Sequence, residues 1–138
     1  MKRYIALTLL AAAVLSACSG IPRRESDAQT LARYQAYAGA PVSEFRMYGS
    51  FDGWTPVDAD HVVINTNVNE SYLITVAQPC VDLPFVTRLG VVSKFPHTVS
   101  SGFDSLRVGR DTCRIQEIRP VDARQMKADL ADEIKARG

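Results

Sequence analysis

Hydrophobic and polar positions along the chain fall into three regimes. An apolar run extends from Tyr4 to Val14, interrupted only by Thr8. Helical spacing occurs over residues 26–38 and again over 123–137. Between these helical segments, residues 44–120 break into short β-branched runs separated by Gly, Pro, Asn and Asp, the punctuation of strands and turns. In the first helical segment Ser26 and Gln29 match a capping box, and Gly39 with Pro41 supplies the stop. Its apolar stripe (Ala28, Leu31, Tyr34 or Gln35, Ala38) is thin, which predicts modest packing along a sheet edge. In the last segment Asp122 and Gln125 match a second capping box. Met126, Leu130 and Ile134 then recur on one side, a stripe suited to lying across a sheet face or barrel end.

Within the strand region, Phe45, Met47 and Phe51 fall on one face of an extended segment. Asp52-Gly53 is a two-residue hairpin signal, which predicts that Trp54–Val57 returns along that segment. His61–Asn65 and Ser71–Val76 predict a second hairpin about the polar residues 66–70, placed centrally because both faces of its strands are apolar. Gln78-Pro79 breaks the pattern, and Phe85–Ser93 is extended or partly helical, with Leu89, Val91 and Val92 as core candidates. Residues 94–101 read as a loop containing Pro96 and His97. Phe103–Val108 and Thr112–Arg119 form a last antiparallel pair about Gly109-Arg110-Asp111, and Pro120 ends the sheet. The expected fold is α+β: an antiparallel sheet or small curled barrel of about six to seven strands, with one N-terminal and one C-terminal helix.

The first apolar run has a different meaning. It follows the basic Lys2-Arg3 and is about half the ~20 residues that an apolar helix needs to cross a bilayer, so it reads as a signal peptide. It ends in Leu15-Ser16-Ala17-Cys18, which closely resembles the lipobox of bacterial lipoproteins. That resemblance implies a thioether-linked diacylglycerol on Cys18, cleavage before it and acylation of the new amino terminus. Multiple acyl chains make a firm anchor, since each buried methylene contributes ~0.8 kcal/mol. In such lipoproteins Asp after the cysteine favours retention in the inner membrane. Ser19 stands there instead, which points to the outer membrane, facing the periplasm. The expected organisation is a signal peptide (1–17), a lipidated tether (18–25) and one periplasmic domain (26–138). The Arg23-Arg24 pair in the tether is a weak signal for acidic head groups, with solvation as its default reading.

Cleavage would leave 121 residues, enough for one core, with 14 basic against 15 acidic side chains and a net charge of −1. That balance argues against nucleic acid as a partner, which needs a concentrated basic surface. Of the three cysteines lipid takes one. Cys80 and Cys113 remain, an even pair that in an oxidising compartment predicts a disulfide. Neither belongs to a Cys-x-x-Cys, so no redox role is expected.

Candidate chemistry is sparse. Asp58, Asp60 and His61 are the best metal-like cluster, although acidic residues are also ordinary turn formers. Asn65, Asn67 and Asn69 echo a calcium loop without its carboxylates or glycine, so a turn is the better reading. His97, Ser100 or Ser101, and Asp104 could compose a hydrolytic triad, but no Gly-x-Ser-x-Gly turn presents a nucleophile. Trp54, Tyr48 and Tyr72 are candidates for a binding face, with core packing as the competing account. Arg88, Lys94, Arg107, Arg110, Arg114 and Arg119, interspersed with Asp104, Asp111 and Glu117, read as a solvated sheet face. No cofactor motif is present.

Beyond the lipobox, Pro79-Cys80, Cys113-Arg114-Ile115 and Arg119-Pro120 resemble a small family of proteobacterial lipoproteins carrying a domain of unknown function. The resemblance covers most of residues 45–122 and implies no catalytic residues. The resulting expectation is a non-catalytic envelope module that is held to the membrane through lipid on Cys18 and binds an envelope protein or cell-wall partner. The alternatives are an inhibitor of a periplasmic hydrolase that uses the loop Lys94–Gly102, and a small enzyme built around His97.

Overall fold

In the computed structural model, which describes residues 24–138, the β-branched runs anticipated as a hairpin form the middle of the sheet. The elements in order are helix α1 (Asp27–Ala36), strands β1 (Glu44–Arg46), β2 (Gly53–Pro56), β3 (His61–Asn67) and β4 (Glu70–Val76), and a single 3-10 turn (Leu83–Phe85). Strands β5 (Leu89–Val92), β6 (Thr98–Ser100), β7 (Ser105–Val108) and β8 (Asp111–Val121) follow, and helix α2 (Ala123–Arg137) closes the chain. Six strands pair antiparallel in the order β2-β3-β4-β8-β7-β5 and curl into a half-barrel, while β1 and β6 make a separate two-stranded sheet. The fold is therefore α+β, as the pattern predicts. Residues 1–23, which contain the expected signal peptide (1–17), Cys18 and most of the expected tether, lie outside the described residues.

Alternation along β3 and β4 produces two cores. Val62 and Ile64 pair with Ile74 and Tyr72 on the inner face, and Val63 pairs with Leu73 on the outer one. The inner core gathers Ile64, Ile74, Leu83, Leu106, Ile115 and Ile118, all fully buried. Such side chains each contribute about 1.5–3 kcal/mol when removed from water, so this core is the main stabilising element. Ile115 and Ile118 point inward together although they are an odd three positions apart. The register of β8 slips between its partners Thr75 and Val76, and that bulge absorbs the odd residue. On the outer face α1 lays Leu31, Tyr34 and Tyr37 over Val57, Val63, Leu73 and Val121. Its N-terminus carries the full capping box, with Ser26 and Gln29 bonded reciprocally.

Several expectations change. β1 does not fold back on β2 through Asp52-Gly53. It pairs instead with β6, with Phe45 opposite Val99, and β2 pairs with β3. Residues 94–101, expected as a loop, therefore contain a strand. Pro120 does not end the sheet but pairs with Tyr72 inside β8. Its carbonyl accepts the Gly39 N–H at 2.8 Å on the side away from β4. The N and C=O of a strand residue share a side, so the N–H that proline lacks is not one the β4 ladder needs. At α2 only half of the second capping box forms. Asp122 accepts the Gln125 N–H at 3.0 Å, but the Gln125 side chain turns to Asp129 at 2.7 Å. The α2 stripe docks over its first half: Met126 is buried and Leu130 half-buried, whereas Ile134 is 69% exposed.

Cys80 follows β4 and Cys113 lies on β8. Their Sγ atoms are 1.97 Å apart and both residues are buried against the inner core. The bridge closes a separation of 33 residues and ties the exit of β4 to β8.

Candidate functional site

The two chemical clusters singled out in the sequence are placed differently. Asp58 Oδ1 accepts the N–H groups of Asp60 and His61 and lies 2.8 Å from His61 Nδ1. Asp60 bonds to the Gln78 amide instead. The carboxylates thus fasten the turn between β2 and β3 and its neighbour, and do not converge on a shared point. Among the described residues no group of three or more His, Cys, Asp or Glu is arranged to hold a metal ion. Asn67 likewise closes a local turn by accepting the Asn69 N–H at 2.8 Å.

His97, Ser100, Ser101 and Asp104 are brought to one end of the molecule but not into a relay. The His97 ring stacks on Tyr48 with centroids 5.3 Å apart. The Asp104 carboxylate is buried and already engaged: Oδ2 accepts the Ser100 N–H at 2.7 Å and the Ser93 hydroxyl at 3.2 Å, and Oδ1 accepts the Lys94 N–H at 3.0 Å. Ser101 donates its hydroxyl to the Ser43 carbonyl. Among the described residues no hydrogen bond joins the His97 side chain to either serine or to Asp104. General-base chemistry needs that contact, directly or through one water. Nor does Asp104 lie on a solvated sheet face, as its neighbours in sequence suggest. It is a buried fastener.

What Asp104 fastens is an aromatic tip. Its two oxygens reach both ends of the Lys94–Ser100 segment, fixing the approach and the exit of a tight turn. Phe95 and Thr98 face each other across Pro96-His97. Proline presets the first central φ of such a turn, and His97 takes φ +62°, a left-handed conformation that is costly for any residue but glycine. A second turn follows, in which the Asp104 N–H returns to the Ser100 carbonyl at 3.1 Å and Gly102 adopts φ +79°. These turns raise Phe95 (62% exposed) and Phe103 (83%) around a small apolar hollow of about 180 Å³, floored by Ser100 and Asp104. Tyr48 (68% exposed) stands nearby on His97, at the end of the β1–β6 sheet where the Met47 N–H bonds the His97 carbonyl.

The expected face of Trp54, Tyr48 and Tyr72 is divided. Trp54 and Tyr72 flank Ile64 on the inner face of the sheet, and Tyr72 stacks on Phe45 at 4.4 Å. Only Tyr48 points outward. The sequence reading missed Phe95 and Phe103, although both stand beside turn residues where an aromatic side chain has no strand face to bury against. No curated protein and no solved structure matches this chain. Over residues 1–137 it matches the family of unknown function DUF6491, and the chain belongs to that family.

Proposed function

We propose that this protein is a lipid-anchored, non-catalytic module of the bacterial envelope that binds another envelope protein through the tip formed by Phe95, Phe103 and Tyr48. One observation carries the reading. Phe95 stands exposed on a segment that a buried carboxylate fastens at both ends, and Phe103 and Tyr48 stand exposed beside it. Aromatic anchors dominate binding energy at protein interfaces, and a segment ordered before binding loses little entropy on association. The strained backbone of His97 at the centre of the tip fits the same reading, since such strain collects at functional sites. The lipobox supports the anchor and the compartment.

The test is a photoreactive residue placed at Phe103 in intact cells. The expected outcome is a discrete protein adduct that is absent when the probe sits at Ile134 and is lost on Phe95→Ala. Adducts of equal intensity from both positions would remove the tip from the account.

The same fastening favours one second reading, inhibition of a hydrolase by insertion of the tip into its cleft. Under that reading the purified protein suppresses a periplasmic hydrolase and the Phe95→Ala variant does not.

A further inference from the structure

We infer that the Gly109 end of the β5–β7 pair rests on the bilayer surface, with Phe85 and Val81 as its contact residues. The inference relies on the lipidation of Cys18 proposed above. β5 and β7 run between this end and the tip. Val92 pairs with Ser105 beside Asp104 and the tip, and Leu89 pairs with Val108 beside the Gly109 turn. Four residues of β5 at ~3.3 Å each therefore set the two ends of that strand ~10 Å apart.

At the Gly109 end Phe85 is 82% exposed and Val81 71% exposed. Phe85 borders two grooves. One is about 390 Å³ and is shared with Asp82, Gly109 and Arg110; the other is about 520 Å³ and is shared with Arg24, Pro56 and Pro84. Arg24 is where the tether meets the domain. Arg24 lies six positions after Cys18, a span of at most ~20 Å even when fully extended. A diacylglyceryl group buried in the bilayer therefore keeps this end near the head groups, at a high effective concentration for any weak surface contact.

The carboxylates on this end are engaged but not neutralised, so the tether and the apolar pair, rather than net charge, hold it to the bilayer. Of the carboxylates beside the grooves, Glu25 pairs with Arg33, Asp58 is bonded to His61, and Asp82 faces the Arg110 N–H. Asp27 sits in the first turn of α1, where the helix dipole favours it. Arg24 and Arg110 remain to meet phosphate head groups beside an apolar pair. With this end down, the tip formed by Phe95, Phe103 and Tyr48 stands at the other end of the β5–β7 pair, open to its partner.

The lipidated mature chain, purified from membranes, is reconstituted into phosphatidylethanolamine–phosphatidylglycerol vesicles with and without brominated acyl chains. Phe85→Trp and Phe103→Trp are compared with wild type, whose Trp54 provides the background; both replaced side chains are exposed, so neither change disturbs the core. Bromine is expected to lower the emission added at position 85 by about twofold or more and to leave that at position 103 unchanged. Equal insensitivity at both positions, in protein that still floats with the vesicles, overturns the inference, and so does stronger quenching at 103. Protein that fails to float at all overturns the anchor itself, and with it both readings.

Discussion

The main-chain N–H of Ser100 donates to Oδ2 of Asp104 at 2.7 Å, and the Asp104 N–H returns a bond to the Ser100 carbonyl at 3.1 Å. This reciprocal pair holds a turn whose apex is Phe103, and the second carboxylate oxygen pins Lys94 at the other end of the segment. A short segment that sends only Val99 into the core is thereby fastened at both of its ends. The tip's order thus depends on a side chain that is itself almost wholly buried.

Asp104→Ala therefore removes the acceptor for two main-chain donors and a hydroxyl in a mostly buried setting. The expected loss is about 2–4 kcal/mol, reduced to the extent that water reaches Lys94. Urea unfolding measures the stability, and hydrogen exchange at the Lys94 and Ser100 amides measures the local effect. Unchanged protection at both amides would show that the tip is ordered by something else.

The Cys80–Cys113 bridge constrains the unfolded chain over a separation of 33 residues. Its removal by paired Cys→Ser substitution is expected to cost about 4 kcal/mol in the chain-entropy view. A domain of this size has a total margin of roughly 5–15 kcal/mol, so the variant should unfold at much lower urea. A midpoint matching wild type would contradict this.

Much of the sheet was legible for a physical reason. The runs His61–Asn65 and Ser71–Val76 are β-branched and border a polar turn, so local pattern and global pairing agree. The β1–β6 pairing was not legible. Three residues around Phe45 meet three around Val99, more than 50 positions away, and the second set lies among Ser, Pro and His residues that read as loop. Pro120 misled because proline stops a strand only where its N–H is required. The tip was hidden by Asp104, since a single aspartate among arginines reads as surface and nothing local announces that its carboxylate is buried. The half-barrel leaves only the first half of α2 a surface to pack on, which the even spacing of Met126, Leu130 and Ile134 does not reveal.

That difference along α2 is measurable. Met126→Ala empties a buried position and should cost about 2 kcal/mol or more. Ile134→Ala removes an exposed side chain and installs a better helix former, so stability should change by less than about 0.5 kcal/mol. Equal losses from the two variants would mean that the end of α2 is covered in solution.

The two helices are joined by the Tyr37 hydroxyl, which donates to Asp129 at 2.6 Å. This bond, with burial and the charge of Asp129, raises the Tyr37 pKa above its ordinary value. Burial also raises that of Tyr72. A raised pKa means that the folded state holds its proton more tightly than the unfolded chain does. The contribution is complete below the ordinary tyrosine value near 10 and is lost as pH climbs through the folded-state value. Stability should therefore decline on the alkaline side. Tyr37→Phe should flatten that decline without abolishing it, because Tyr72 still contributes. Urea midpoints measured across this alkaline range for both proteins test it, and identical slopes would contradict it.

The claim on which anchor, compartment and orientation all rest is that Cys18 becomes the acylated first residue of the mature chain. Intact mass measurement of the protein extracted from cell envelopes tests it most directly. The account predicts a 121-residue polypeptide starting at Cys18, carrying a diacylglyceryl group and an amide-linked acyl chain, with no alkylatable thiol before reduction. A polypeptide that begins at Met1, free of fatty acid and with thiols open to alkylation, would contradict it.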